Sequence, residues 1–247
     1  MSGHNKWSTI KRKKGAIDAK RSKVFSRINK EITVAVKEGG PDPDGNPRLR
    51  LAIANAKGAS MPKDNITRAI NKGADKDAAN YLETSYEGYA PNGIAVFVDC
   101  TTDNIQRTVS NIRSYFNKFG GNLGTNGSLA FLFDRKGVFT IPKAGINMDE
   151  FEMEIIDAGA EDIQLEDDTI TITTAMEDFG AMLKKLESMK IETENAELQR
   201  IPRTTVKVDK EAARKVMRLL DLFEDDDDVT NVFHNMELTD EIMEDLE

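Results

Sequence analysis

Basic side chains cluster at the start of this 247-residue chain, around its single tryptophan. Ten of the first 30 residues are Lys or Arg, Asp18 is the one acid among them, and Trp7 lies inside the run. Clustered cations neutralise phosphates and release counterions, and an aromatic ring among them can stack on a base. This pattern predicts polyanion binding. The candidate nucleic-acid-binding residues, including two from a later helix, are His4, Lys6, Trp7, Lys11, Arg12, Lys13, Lys14, Lys20, Arg21, Lys23, Arg27, Lys30, Lys63 and Arg68.

The distribution of charge along the chain bears on the meaning of this cluster. A charge run is often only a solvated face, with a nearby Trp packed onto neighbouring helices. The formal net charge is −9, yet residues 1–75 carry 17 basic and 7 acidic side chains, whereas residues 76–247 carry 17 and 36. Asymmetry of this size favours a polyanion partner for the basic part of the chain.

Residues for catalysis or metal binding are scarce. With Cys100 as the only cysteine and His4 and His234 as the only histidines, one chain cannot form a disulfide framework or a His/Cys metal cluster. The acidic segment 42–46 lacks the Gly at position six and the Glu at position twelve of a calcium loop. We therefore predict a protein that is not an enzyme, with no catalytic residues, no metal and no cofactor.

Two further segments have competing interpretations. The glycine-rich segment 120–124 lacks the Gly-Lys-Ser/Thr of a phosphate-binding loop. It is either a clamp on backbone nucleotides or, as we prefer, a plain connection between a helix and a strand. Residues 224–228 are five consecutive acids. They form either a solvated loop, which we prefer, or a patch that competes with nucleic acid for the basic region.

The elements that must position the basic residues are helical. Between residues 18 and 37, apolar side chains recur at helical spacing on one face, and a basic stripe follows the opposite face. Pro and Gly signals predict two more helices, over 47–57 and 62–73. These helices carry four cations that are either ordinary surface charge or supporting contacts, namely Lys57, Lys63, Arg68 and Lys72.

The remainder of the chain alternates strand and helix patterns. The predicted strands are 85–89, 94–101, 129–133, 137–142, 162–166, 169–174, 192–201, 204–208 and 229–236, and the predicted helices are 103–119, 149–158, 177–189 and 209–223. Residues 134–203 thus have the βαββαβ order of a ferredoxin-like split βαβ unit. The flanking pieces supply two βαβ halves that together can form a second such unit.

These patterns predict a multidomain α+β protein with an N-terminal helical bundle and two ferredoxin-like split βαβ domains, one inserted in the other. The predicted domains are a basic helical domain (1–78), a discontinuous α/β domain (79–133 and 204–247) and an inserted βαββαβ domain (134–203). The longest apolar run, residues 94–98, is far shorter than the about 18 residues of a membrane span. We expect a cytoplasmic protein with no membrane partner.

Motifs distributed over the whole chain resemble the YebC/PmpR family. They are Gly3-His4-Asn5-Lys6-Trp7, Asp18 to Phe25, Met61-Pro62-Lys63-Asp64-Asn65-Ile66 with Arg68-Ala69-Ile70, Glu87-Gly88-Tyr89, Thr102-Asp103-Asn104 with Arg107-Thr108, and Gly120 to Gly124 with Gly127-Ser128. The resemblance implies a cytoplasmic protein with one helical and two α/β domains. It also implies regulation of transcription through promoter DNA, or, as in other members, a link to translation and the ribosome at proline-rich stretches.

The residues and the resemblance lead to two hypotheses about function. The first is a non-enzymatic nucleic-acid-binding regulator, a DNA-binding transcriptional regulator whose basic N-terminal arm and first helix contact phosphates. The alternative is a ribosome-associated translation factor that binds rRNA or tRNA and aids synthesis of proline-rich stretches. The sequence lacks helix-turn-helix, homeodomain and zinc-finger signatures, which weakens sequence-specific DNA reading.

Overall fold

The computed structural model describes residues 17–239, 241 and 242, and the chain divides into two compact units. Unit 1 comprises residues 1–23, 80–134 and 201–247, and unit 2 comprises residues 24–79 and 135–200. None of the described helices is long and apolar enough to cross a membrane. Unit 2 thus contains both the helical segment and the segment predicted as an inserted domain. The division into three domains stays a prediction.

The helical part of unit 2 has the three helices that the sequence predicts. They are α1 (Ile17–Gly39, with the unit boundary after Lys23), α2 (Pro47–Gly58) and α3 (Lys63–Ala74). Their apolar faces meet in a core that includes Ile32, Val36, Leu49, Ala56 and Ile66. The buried Asn46 caps α2, because its Oδ1 accepts a hydrogen bond from the Leu49 amide at 3.0 Å. The Asn46 Nδ2 donates to the carbonyl of Ala35 at 2.6 Å, which joins the start of α2 to α1.

The remaining part of unit 2 is an antiparallel sheet covered by two helices. Its elements are β4 (Phe133–Pro142, with the unit boundary before Arg135), α5 (Met148–Ile156), β5 (Ala160–Leu165), β6 (Thr169–Ala175), α6 (Phe179–Ser188) and β7 (Asn195–Pro202, with the unit boundary after Arg200). The strand order is β5-β6-β4-β7, as in a split βαβ unit, which confirms the predicted βαββαβ pattern. The core between the sheet and its helices includes Phe139, Ile172, Phe151, Met182 and Leu186.

Within unit 2, helix α2 is attached to strand β7 by hydrogen bonds between a side-chain amide and backbone groups of the strand. The Asn55 Nδ2 donates to the carbonyl of Ala196 at 2.9 Å, and the Asn55 Oδ1 accepts from the Ala196 amide at 2.9 Å. Gly58 approaches so closely that a Cβ atom there would lie 2.1 Å from the carbonyl oxygen of Glu194. Glycine is therefore required at this position by the contact with the neighbouring backbone.

Unit 1 is a second antiparallel sheet with helices packed against it. Its elements are β1 (Leu82–Tyr89), β2 (Ala95–Thr102), α4 (Ile105–Lys118), β3 (Asn122–Leu123), α7 (Lys210–Asp225) and β8 (Val229–His234). The strand order is β3-β1-β2-β8. Val98, Ile112, Phe116, Leu220 and Phe223 belong to its main core, and the rings of Phe116 and Phe223 lie 4.9 Å apart in an edge-to-face arrangement. The α+β fold class predicted from the sequence, with N-terminal helices and two sheets, is confirmed.

Two short segments of unit 1 differ from the sequence prediction. Residues 129–133 were expected to form a strand, but Ala130–Leu132 is a 3₁₀ turn and strand β4 begins at Phe133. The carboxylate of the buried Glu87 causes this difference, because it accepts hydrogen bonds from the amides of Gly127 at 2.7 Å and Leu129 at 2.6 Å. A strand was also expected over 204–208, where the structure has only an isolated bridge between Val206 and Met236.

The acidic segment 224–228 is partly built into unit 1. The Tyr115 hydroxyl of α4 donates to the Asp226 carboxylate at 2.8 Å, and the buried Asp228 accepts from Arg107 and from the Thr108 hydroxyl. Partial burial, followed by the hydrogen bond to Asp226 and its negative charge, raises the pKa of Tyr115 to about 12. The interpretation of this segment as a solvated loop is therefore wrong for Asp226 and Asp228.

The close approach of α2 to β7 predicts a position-specific cost for a single methyl group. We expect Gly58→Ala to lower the free energy of unfolding by about 1–3 kcal/mol, because the new Cβ would overlap the Glu194 backbone. Gly180→Ala is the matched control, since Gly180 also lies in a helix and a Cβ there would meet nothing within 4 Å. Urea denaturation of both variants measures the difference. Equal stability of the two variants would contradict the proposed contact.

The Tyr115–Asp226 hydrogen bond predicts a loss of stability at high pH. The folded-state pKa of about 12 lies above the ordinary value of 10.0, so this contribution is present below pH 10 and disappears as the pH rises through 12. We expect Tyr115→Phe to unfold more easily by about 1 kcal/mol at pH 8. The gap between the variant and the unchanged protein should shrink between pH 10 and 12. A gap that stays constant over this range in urea titrations would show that Tyr115 is not responsible.

Candidate nucleic-acid interface

Half of the predicted binding residues belong to the N-terminal arm. The residues that lie outside the described part of the chain are His4, Lys6, Trp7, Lys11, Arg12, Lys13 and Lys14, and the side chain of Lys20 also lies outside it. Their role stays a prediction from the sequence. The predicted residues that the structure describes are Arg21, Lys23, Arg27, Lys30, Lys63 and Arg68, and they belong to α1 and α3.

On α1 the basic residues lie opposite its apolar face, as the helical spacing predicts. Phe25 and Ile28 pack against the helical core, whereas Arg21 is exposed and Arg27 and Lys30 are half-buried. Arg21, Arg27 and Lys30 each take part in a contact within the protein. Lys23 donates a hydrogen bond to the carboxylate of Asp225, which is an ion pair that the sequence did not predict. The basic stripe is therefore present on α1, but several of its side chains already contact other groups of the protein.

The carboxylates on the later part of α1 are neutralised from α2. The Arg48 Nε lies 2.8 Å from the Glu31 Oε1, and the Arg48 Nη1 lies 2.8 Å from the Glu38 Oε2. One guanidinium thus pairs with both acidic side chains, with geometry that suits its planar fork of donors. Because these two carboxylates are paired, they offset less of the positive charge on the neighbouring helices.

Helix α3 exposes cations because its apolar face is packed on α1. Ile66 and Ala69 are buried, and Gly73 packs so closely that a Cβ there would lie 3.1 Å from the Cβ of Val36. The exposed side chains of α3 include Lys63, Arg68 and Lys72, and Lys57 at the end of α2 is also exposed. Among the described residues, none of these four cations forms an ion pair with a carboxylate. Arg68 Nη1 instead lies 3.5 Å from the Asn65 Oδ1.

This arrangement suits contact with an anionic ligand. Exposed Lys and Arg side chains that no carboxylate neutralises can accept phosphates at little desolvation cost. Such contacts position a nucleic-acid strand without reading its bases. Within residues 17–239, 241 and 242, no cluster of His, Cys, Asp and Glu is placed to hold a metal ion.

The glycine-rich loop after α4 uses its backbone donors inside the protein. The Gly121 amide donates to the Phe116 carbonyl at 2.9 Å, and the Gly124 amide donates to the Glu87 carbonyl at 2.7 Å. The interpretation of this segment as a plain connection is wrong for Asn122 and Leu123, because they form strand β3, which pairs with Gly88 and Tyr89 of β1. Glu87 organises this loop and the residues after it, and nothing in the local sequence around 120–124 indicates this role.

Arg107 has a structural role that its local sequence does not reveal. Its Nη2 lies 2.7 Å from the Asp228 Oδ2 and 2.8 Å from the Asp103 Oδ1. Hydrogen bonds to Asp228 and then to Asp103 raise the pKa of Arg107. The signal in the sequence was the basic residue in the Thr102-Asp103-Asn104 motif, but its partner Asp228 lies 121 residues away. Arg107 is therefore occupied in holding α4.

Comparison with known proteins shows similarity over nearly the whole chain. Residues 5–76 match the TACO1/YebC protein N-terminal domain, and residues 81–236 match the TACO1/YebC second and third domain. A protein of Amoebophilus asiaticus is 50% identical over 239 residues, which cover 96% of this chain and 98% of the relative. A protein of Brachyspira hyodysenteriae is 51% identical over 247 residues, with 99% and 100% covered. Both relatives are named probable transcriptional regulatory protein.

A solved structure is also similar to this fold. The crystal structure of a conserved hypothetical protein from Aquifex aeolicus has a TM-score of 0.82 and 44% sequence identity, and the match covers 92% of this chain and 94% of that one. The sequence match and the structural match therefore agree along the chain. With both of its parts matched, this chain belongs to the TACO1/YebC family, as its resemblance to YebC/PmpR proteins predicted.

Proposed function

We propose that this protein is a non-enzymatic, DNA-binding transcriptional regulator whose basic N-terminal arm and helix α1 contact phosphates, supported by the cations of α3. The observation that carries the proposal is the exposure of Lys63, Arg68 and Lys72 on one helix, without a carboxylate partner among the described residues. The names of the relatives, probable transcriptional regulatory protein, support regulation as the role. The single cysteine fits a reducing compartment such as the cytoplasm.

The distribution of charge along the chain indicates which region makes the proposed contact with nucleic acid. Residues 1–75 carry an excess of basic side chains, and residues 76–247 carry 36 acids against 17 basic residues. A polyanion is attracted by the first region and repelled by the second. This proposed interface therefore lies on the N-terminal helices and the arm that precedes them.

Removal of the α3 cations should weaken binding in a salt-dependent manner. In Lys63→Gln/Arg68→Gln/Lys72→Gln, we expect the slope of log affinity against log salt concentration to fall by about 2–3, or about 0.7–0.9 for each lost phosphate contact. Arg135→Gln/Lys184→Gln/Lys190→Gln is the matched control, because it removes the same charges from exposed positions elsewhere in unit 2. Fluorescence-anisotropy titrations over a range of salt concentrations measure both slopes. A slope unchanged in the α3 variant would refute the proposed contact.

The same titrations separate DNA from RNA as the ligand. The probes are a duplex containing a promoter sequence, a scrambled duplex, a structured RNA, and purified ribosomes in a sedimentation assay. Preference for the promoter duplex supports the proposed regulator. Co-sedimentation with ribosomes at physiological salt, combined with equal affinity for the two duplexes, would replace it with a translation factor.

The N-terminal arm should contribute its own share of the affinity. We expect Lys11→Gln/Arg12→Gln/Lys13→Gln/Lys14→Gln to reduce the salt slope by about 3–4 in duplex DNA, since four further phosphate contacts would be lost. The variant Arg135→Gln/Lys143→Gln/Lys184→Gln/Lys190→Gln removes one Arg and three Lys from unit 2 and serves as the control. If both variants bind duplex DNA alike, the arm has no specific role.

A further inference from the structure

The outer face of helix α4 in unit 1 is a stripe of polar and basic side chains. The helix, Ile105–Lys118, contains no Asp or Glu. The side chains that line a shallow, open depression along it are Ser110, Arg113, Ser114, Asn117 and Lys118. Their spacing of i, i+3, i+4, i+7 and i+8 places them on one side of the helix, over a length of about 12 Å. All five are exposed.

The opposite side of α4 is held firmly, so this stripe has a fixed orientation in unit 1. Thr108, Ile112 and Phe116 are buried beneath the helix. At its beginning, Arg107 is bonded to Asp228, and near its end, Tyr115 is bonded to Asp226. Contacts at both ends and a packed face between them prevent the helix from turning its outer stripe inward.

The two cations of the stripe lie in a part of the chain that is acidic overall. Among the described residues, neither Arg113 nor Lys118 forms an ion pair with a carboxylate. Other basic residues of unit 1 do form such pairs, namely Lys23, Arg107, Arg203, Lys207 and Lys215. Asp226 and Asp228, the acids bonded to α4, are already engaged by Asn111, Tyr115, Arg107 and Thr108. Lys118 Nζ also lies 5.9 Å from the ring centre of Phe119, a contact that does not neutralise its charge. The positive charge of the stripe is therefore not cancelled by carboxylates of the described residues.

The composition of the stripe fits phosphate oxygens better than a protein surface. Arg, Lys, Ser and Asn are donors that commonly bond the sugar-phosphate backbone. The stripe contains no aromatic or aliphatic anchor, which is the kind of residue that dominates protein–protein interfaces. The Ser110 hydroxyl donates to the Gln106 carbonyl at 2.8 Å, which leaves Arg113, Ser114, Asn117 and Lys118 as the donors toward a ligand.

We propose that the outer face of α4 is a second contact surface for the phosphodiester backbone of a nucleic acid. This inference goes beyond the proposed function, because it concerns unit 1 and does not require the arm or α3. The acidic excess of residues 76–247 repels a strand in general. The outer face of α4 instead presents Arg113 and Lys118 on a helix that contains no Asp or Glu.

Two substitutions in the full-length protein test this surface. We expect Arg113→Gln/Lys118→Gln to lower the salt slope of binding by about 1.5, since two phosphate contacts are removed at about 0.7–0.9 each. Lys210→Gln/Arg218→Gln is the matched control, because it removes the same two charges from exposed positions on α7 of the same unit. Gln keeps most of the helix propensity of Lys and Arg, and circular dichroism verifies that the variants are folded.

The probes are duplex DNA and single-stranded RNA of equal length, each titrated at several salt concentrations. A lower slope on either probe, with the control unchanged, supports the proposal and identifies which backbone is bound. An unchanged slope on both probes overturns it, and so does an equal decrease in the control, which would reveal only a general effect of charge. As a second variant, Ser114→Glu adds a carboxylate to the stripe without removing a cation, and it should weaken binding to the same probe. Since the α3 variants are measured separately, failure here is distinguishable from failure of the proposed function.

Discussion

The buried carboxylate of Asp228 is the constraint on which much of unit 1 depends. A carboxylate removed from water is costly unless charged or polar donors surround it, and here Arg107 and the Thr108 hydroxyl supply them. Its backbone carbonyl also accepts from the Thr101 amide at 2.8 Å. Asp228 thus joins the turn before β8 to strand β2 and to the first turn of α4. A shift of α4 would therefore expose the buried carboxylate to water or remove its hydrogen-bond donors.

Ion pairs and hydrogen bonds within each unit determine which cations are left without a carboxylate partner. Arg48 forms ion pairs with two carboxylates of α1. Asp226 and Asp228 accept hydrogen bonds from side chains of α4. The cations on the outer sides of α3 and α4 are then left without carboxylate partners among the described residues. The net charge of the whole chain conceals this pattern, because it does not show which carboxylates are already paired with Arg48 or with side chains of α4.

Local periodicity was sufficient to predict the helices and the βαββαβ segment, because their apolar faces repeat within a few residues. Contacts between distant parts of the chain were not predictable in this way. Glu87 turns residues 129–133 away from a strand through the amides of Gly127 and Leu129, about forty positions later. Lys23 and Asp225 are 202 positions apart, so nothing in the basic stripe of α1 indicated that one of its members is paired. Which basic residues form a stripe is a local property, whereas which of them are neutralised depends on the whole fold.

The attachment of α2 to β7 also affects how readily the sheet of unit 2 can pair with a strand of another molecule. Strand β7 is an outer strand of that sheet, and such strands present unfilled backbone groups that can recruit a strand from another molecule. At Ala196 the backbone N–H and C=O groups are both hydrogen-bonded to the side-chain amide of Asn55, which takes the place of a peptide group from a neighbouring strand. Gly58 lets the helix come near enough to cover the adjoining backbone of Glu194. The start of β7 is therefore less available for pairing with a strand of another molecule, a consequence unrelated to any charge that the helical segment carries.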